Sequence, residues 1–95
     1  MTMKEFVESL LGRKARDQVT NAEGVITSVT FDLFGCIQAL LKPPIDDDGK
    51  QVPSGWFDIG RLTLICGTPV MKVPDFVVGP IESLTPKGPA NKPIP

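Results

Sequence analysis

Seven of the ten prolines fall after Cys66, and their placement divides the chain into unlike parts. Proline fixes φ and has no N–H, so residues 67–95 can supply neither a helix interior nor a central strand. The other three, Pro43, Pro44 and Pro53, flank one short stretch and leave residues 1–42 free of proline. Nine glycines bring proline plus glycine to a fifth of the 95 residues, against about 12% in average proteins. Long helices are therefore excluded, and short strands joined by tight turns are favoured. The length supports one domain.

Residues 1–12 predict a short helix. Thr2 and Glu5 stand at capping-box spacing, and Phe6, Val7, Leu10 and Leu11 fall on one helical face. Gly12 ends it, with Arg13 and Lys14 at the negative end of its dipole. A helix this short is marginal in water, so its apolar face must pack on its own domain or on a partner.

Residues 13–66 carry the strands. Ala15 to Thr20 is a short strand, ended by an Asn21-Ala22-Glu23-Gly24 turn. Val25, Thr27, Val29, Phe31 and Leu33 then alternate with Ile26, Ser28, Thr30 and Asp32, a β-branched and aromatic pattern typical of strands. Phe34-Gly35 breaks it, Cys36 to Leu41 is the return strand, and Pro43-Pro44 stops the pairing. After the Asp46-Asp47-Asp48-Gly49 turn, Trp56-Phe57-Asp58 and Arg61 to Ile65 complete the set. The expected core is Val25, Val29, Phe31, Leu33, Ile37, Leu62 and Leu64.

Residues 67–95 combine proline with Val70, Met71, Val73, Phe76, Val77, Val78, Ile81 and Leu84, too apolar for a plain linker. The expectation is an extended arm at 68–84 lying on a protein surface, with Val77-Val78 its best candidate for pairing. A disordered or polyproline-like tail would follow at 85–95. The whole is predicted to be mainly β: a small SH3-like antiparallel barrel of about five strands, with a short N-terminal helix and a proline-rich C-terminal arm. A five-stranded oligonucleotide-binding barrel is the alternative, although it needs a longer chain and a helix between its strands.

An ordered series of motifs runs through residues 13–65: Arg16-Asp17-Gln18-Val19-Thr20, Glu23-Gly24-Val25-Ile26-Thr27, Phe34-Gly35-Cys36-Ile37-Gln38, Asp48-Gly49-Lys50, Trp56-Phe57-Asp58 and Arg61-Leu62. In this order and spacing it resembles a family of small proteins encoded by tailed bacteriophages and prophages. Asn21 stands where that family usually has glycine, and the proline-rich extension is longer here. The resemblance implies a phage origin, a small barrel, and residence in the host bacterial cytoplasm or the virion. It transfers no activity. The stretch from Val19 to Val29 also resembles the Gly-centred turn of KOW-type and Tudor-like barrels, a statement about fold only.

Several chemistries are expected to be absent. The chain has no histidine, the commonest general base and metal ligand. Cys36 and Cys66 lack metal-ligand spacing and read as reduced thiols, buried or half-buried, with a mutual disulfide as the alternative. Asp32 beside Cys36 would raise that thiol's pKa and blunt it as a nucleophile. Counted as an EF-hand from Asp46, position twelve is Phe57, so Asp46-Asp47-Asp48-Gly49 reads as a hairpin turn. No enzyme, cofactor, metal or small-molecule substrate is therefore expected, and Gln38 should face solvent or anchor a backbone group. The apolar stretches are too short for a membrane span, and Met1–Glu8 does not read as a signal peptide.

Charge divides as +2 over residues 1–16, −4 over 17–66 and +1 over 67–95. An acidic barrel repels phosphate, so nucleic acid is a disfavoured partner. The expected function is a non-catalytic phage or prophage module for protein interaction or assembly, with self-association into a homo-oligomer favoured. A nucleic-acid-binding accessory protein is the alternative. The candidate contact residues are Phe6, Leu10, Trp56, Arg61, Phe76 and Val77. For Trp56 and Arg61 the functional reading requires an exposed aromatic beside a guanidinium. The structural reading sends one of Trp56 and Phe57 into the core, with Asp58 pairing with Arg61 or capping the Ile59-Gly60 turn.

Overall fold

In the computed structural model of the chain, residues 1–76 are described. The readings for Val77-Val78, for residues 77–84 of the arm and for the tail at 85–95 lie outside the described residues. A six-residue helix, α1 (Met3–Glu8), precedes five strands: β1 (Lys14–Asp17), β2 (Glu23–Phe31), β3 (Ile37–Lys42), β4 (Gly55–Asp58) and β5 (Leu62–Leu64). A 3-10 turn, Ile59–Arg61, joins β4 to β5. All pairings are antiparallel, in the order β4-β3-β2-β1-β5. The fold is thus mainly β, with one open antiparallel five-stranded sheet whose edges are β4 and β5.

The helix starts by the capping box. The Thr2 hydroxyl accepts from the Glu5 amide at 3.1 Å, and the Glu5 carboxylate accepts from the Thr2 amide at 2.7 Å. It is shorter than residues 1–12, ending at Glu8 and continuing as turns to Gly12. Arg13 closes that end by donating from Nη1 to the Leu11 carbonyl at 3.1 Å and from Nε to the Gly67 carbonyl at 3.2 Å.

A β-bulge in β2 decides which residues reach the core. Ile26 pairs with Leu41, but the register shifts before Ser28 pairs with Leu40 and Val29 with Ala39. The extra residue moves the alternation by one, so Ile26 and Val29 share the inner face. The buried core is Leu10, Ala15, Ile26, Ala39 and Leu41, with Phe6, Leu11, Val29, Phe57, Ile59 and Leu62 packed against it. The core expected from simple alternation is corrected accordingly. Val25 lies half-buried on the outer face between Lys14 and Lys42, Phe31 and Leu64 are exposed, and Leu33 lies beyond the strand with 91% of its surface in solvent. Val29, Ile37 and Leu62 are half-buried.

The turn between β1 and β2 also differs from its expected form. Val19 and Thr20 leave the strand, and Asn21 takes the left-handed conformation at φ 65°. Asparagine is one of the few residues that adopts it without a large penalty. Gly24 lies inside β2 for a different reason: a Cβ there would sit 2.7 Å from the Lys42 carbonyl oxygen.

The described part of the arm follows the N-terminal segment. The Val70 amide donates to the Gly12 carbonyl at 2.8 Å, and Lys4 pairs with Asp75 at 2.9 Å.

Candidate functional site

The two residues singled out with Trp56, Phe57 and Arg61, belong to the frame. The Arg61 guanidinium donates from Nε and Nη2 to both carboxylate oxygens of Asp17, at 2.8 and 2.6 Å, and lies 5.3 Å from the centroid of the Phe57 ring. Asp17 is fully buried, and it also accepts from the Thr20 amide at 2.9 Å and the Thr20 hydroxyl at 2.6 Å. The Arg61 hydrogen bonds, joined by those from Thr20, hold its carboxyl well below the usual carboxylate range despite the opposing effect of burial. The ion pair ties the 3-10 turn to β1, where Asp17 and Leu62 are register partners. Arg61 is therefore engaged within the protein, with its side chain still 39% exposed. Asp58 accepts from the Gly60 amide at 2.9 Å and caps the 3-10 turn.

Trp56 alternates with Phe57 along β4, so it lies on the outer face opposite Leu40, 47% exposed. The aromatic beside the guanidinium is thus the half-buried Phe57, while the exposed one is Trp56. Gln38 is exposed, as one of its two sequence readings has it. Leu10 is buried in the core, at 8% exposure. Phe6 is half-buried and packs 6.4 Å, centroid to centroid, from Phe31. Phe76 remains 41% exposed and lines a shallow hollow with Met3, Lys4 and Val7. Val77 lies outside the described residues.

Among the described residues, the most exposed apolar pair adjacent in sequence was missed because Leu33 continues the alternation of β2. The β2–β3 connection presents Leu33 and Phe34 at 91% and 86% exposure. Its backbone is held locally. The Asp32 carboxylate accepts from the amides of Phe34 and Cys36, both at 2.9 Å, and Gly35 closes the turn at φ 89°. Those bonds, the Cys36 amide first, lower the Asp32 pKa. An Asp followed at two and four residues by the amides it accepts was the available signal for a rigid tip. Behind the tip, Phe31 and Phe6 lead to a second hollow lined by Met1, Thr2, Met3, Phe6 and Ile37. One end of the molecule is therefore an apolar surface with a hairpin tip projecting from it.

Cys36 and Cys66 are free and exposed, which corrects the expectation of burial. The negative charge of Asp32, with some desolvation, pushes the Cys36 thiol above its ordinary value. Among the described residues no three His, Cys, Asp or Glu side chains gather in a metal-holding group, and no helix is long and apolar enough to cross a membrane. In the Asp46–Lys50 turn, Asp46 accepts from the amides of Asp48 and Lys50 at 2.9 and 2.8 Å, an Asx-type closure that serves the turn itself.

These features define a small antiparallel β protein with a structured apolar tip. No family model, curated protein or solved structure matches the chain.

Proposed function

We propose that this chain is a non-catalytic protein-interaction or assembly module of bacteriophage or prophage origin, and that its contact element is the Leu33–Phe34 tip. One observation carries the reading: two large apolar side chains stand almost wholly in water on a backbone that Asp32 and Gly35 hold in one shape. Preorganised apolar anchors lose little conformational freedom on docking, so they suit a pocket on another protein. Phe31, Phe6, Met3 and Phe76 extend the surface behind the tip.

The fold belongs to the same reading. A bulged β2 shared by two halves of the sheet, and a 3-10 turn returning β5 to β1, support an SH3-like small barrel as the architecture. The nucleic-acid alternative has less support, because residues 17–66 sum to −4, and Arg16 and Arg61 are paired with Glu23 and Asp17.

Cys36 beside the tip provides the test. A photoreactive group attached there, in a Cys66→Ser background, is activated in infected or lysogenic cells and its adducts are identified by mass. The expected result is a recurrent protein adduct that disappears in the Leu33→Ser/Phe34→Ser variant. Adducts that survive the double substitution unchanged, or none above background, would overturn the reading.

A further inference from the structure

We propose that two copies of this chain pair through the outer face of the sheet, the acidic turn of each seated in a groove of the other. The surface is separate from the Leu33–Phe34 tip, and the proposal does not depend on the reading given to that tip.

The groove has a volume of about 640 Å3, within the range of sites that hold a ligand or an inserted segment. Its floor is the cross-strand row Lys14, Val25 and Lys42, register partners on β1, β2 and β3. Two strand spacings separate the lysine backbones by ~10 Å, with one valine between them. Pro44 and Ile45 form one wall and Ile65 and Val70 the other. Glu23, the acid in the lining, is paired with Arg16 at 2.9 Å. Among the described residues neither Lys14 nor Lys42 has a carboxylate within ion-pair distance, and both are exposed. The groove thus combines apolar walls with two uncompensated positive charges.

Its occupant must be apolar and acidic, and the chain carries such an element at the groove's own rim. Ile45 is 62% exposed. The turn that follows it, Asp46-Asp47-Asp48-Gly49-Lys50, has a net charge of −2. All three aspartates are exposed, and the Asp46 carboxylate is engaged by the amides of Asp48 and Lys50, which leaves those of Asp47 and Asp48 to meet a partner. A cationic groove beside an acidic, apolar-edged turn is self-complementary, the condition for a two-fold pairing in which each copy gives and receives the same contact. Charge argues against the chain's own C-terminal segment as occupant, because residues 77–95 carry Lys87 and Lys92 against one acid side chain, Glu82, and sum to +1.

Sedimentation equilibrium of the full chain, from micromolar to millimolar concentration, tests the pairing with three variants. All substituted positions are exposed, and far-UV circular dichroism checks that each variant is folded. The wild type should dimerise, with a dissociation constant that rises roughly tenfold as salt goes from about 0.05 to 0.5 M. Lys14→Glu/Lys42→Glu and Asp47→Lys/Asp48→Lys should each weaken it by about a hundredfold, since like charges then face each other twice. Their equimolar mixture should regain the dimer, because both contacts are again complementary. The third variant, Leu33→Ser/Phe34→Ser, should dimerise as the wild type does. A wild type that stays monomeric throughout, or a mixture that fails to recover, would overturn the proposal. So would a dimer indifferent to both charge reversals; if the tip variant alone abolished that dimer, association would lie at the tip, whose reading would stand.

Discussion

Ile26 and Val25 are adjacent in β2, so the strand's alternation sends them to opposite faces, and the bulge that follows Ile26 keeps Val29 on the inner face with it. Ile26 is 1% exposed among Leu41, Ala15 and Leu10, whereas Val25 is half-buried on the outer face between two lysines. Replacing Ile26 with alanine removes three carbons from the core. At ~0.8 kcal/mol for each buried methylene-sized group the transfer loss is ~2.4 kcal/mol, and the residual cavity brings such changes to roughly 2–5 kcal/mol. A folded unit of 76 described residues has about 4–11 kcal/mol of stability in total at roughly 0.05–0.15 kcal/mol per residue. Ile26→Ala should therefore remove about a third to a half of it and lower Tm by roughly 10–40 °C. Val25→Ala removes two carbons from a half-exposed site and should cost about 1 kcal/mol or less. Thermal melts and urea titrations of both variants at pH 7 make the comparison, and an unchanged m-value keeps it a comparison of stabilities. If Val25→Ala costs as much as Ile26→Ala or more, the faces of β2 before the bulge are assigned the wrong way round.

Three further outcomes are expected. Because the folded pKa of Asp17 is depressed, its carboxylate stabilises the protein above the ordinary value of 3.8 and loses that contribution as pH falls from there through the folded pKa; melts between pH 7 and 2 should show wild-type Tm falling in acid, with Asp17→Asn less stable at pH 7 and flatter below pH 4. Gly24→Ala should be strongly destabilising although it adds one methyl group, since the new Cβ meets the Lys42 carbonyl carbon and oxygen at 2.8 and 2.7 Å; a melt within a degree or two of wild type would show that β2 and β3 separate easily there. In a Cys66→Ser background, iodoacetamide should label Cys36 severalfold faster at pH 8 when Asp32 becomes Asn, because the charge that holds the thiol protonated is gone, and an unchanged rate would assign the slow reaction to access instead.

What could be read along the chain was the chemistry of near neighbours. Thr2 and Glu5 are three residues apart, so their reciprocal hydrogen bonds form wherever the segment turns helical. Pro43-Pro44 ends β3 because neither residue can donate to a ladder. The β-branched run through β2 identified its strand, and Asp32 with Gly35 contained the turn that follows. Which face of that strand is buried depended instead on pairing, since a bulge exists only relative to the partner strand and one residue of slip reverses every side chain beyond it. Asp17 and Arg61 are 44 positions apart, and nothing local to either requires a buried ion pair; it arises when β5 is laid beside β1. The same sheet places Lys14 and Lys42 on either side of Val25, and it leaves Leu33 and Phe34 beyond the last rung of the β2–β3 ladder, where the alternation that would have buried them no longer has a face to follow.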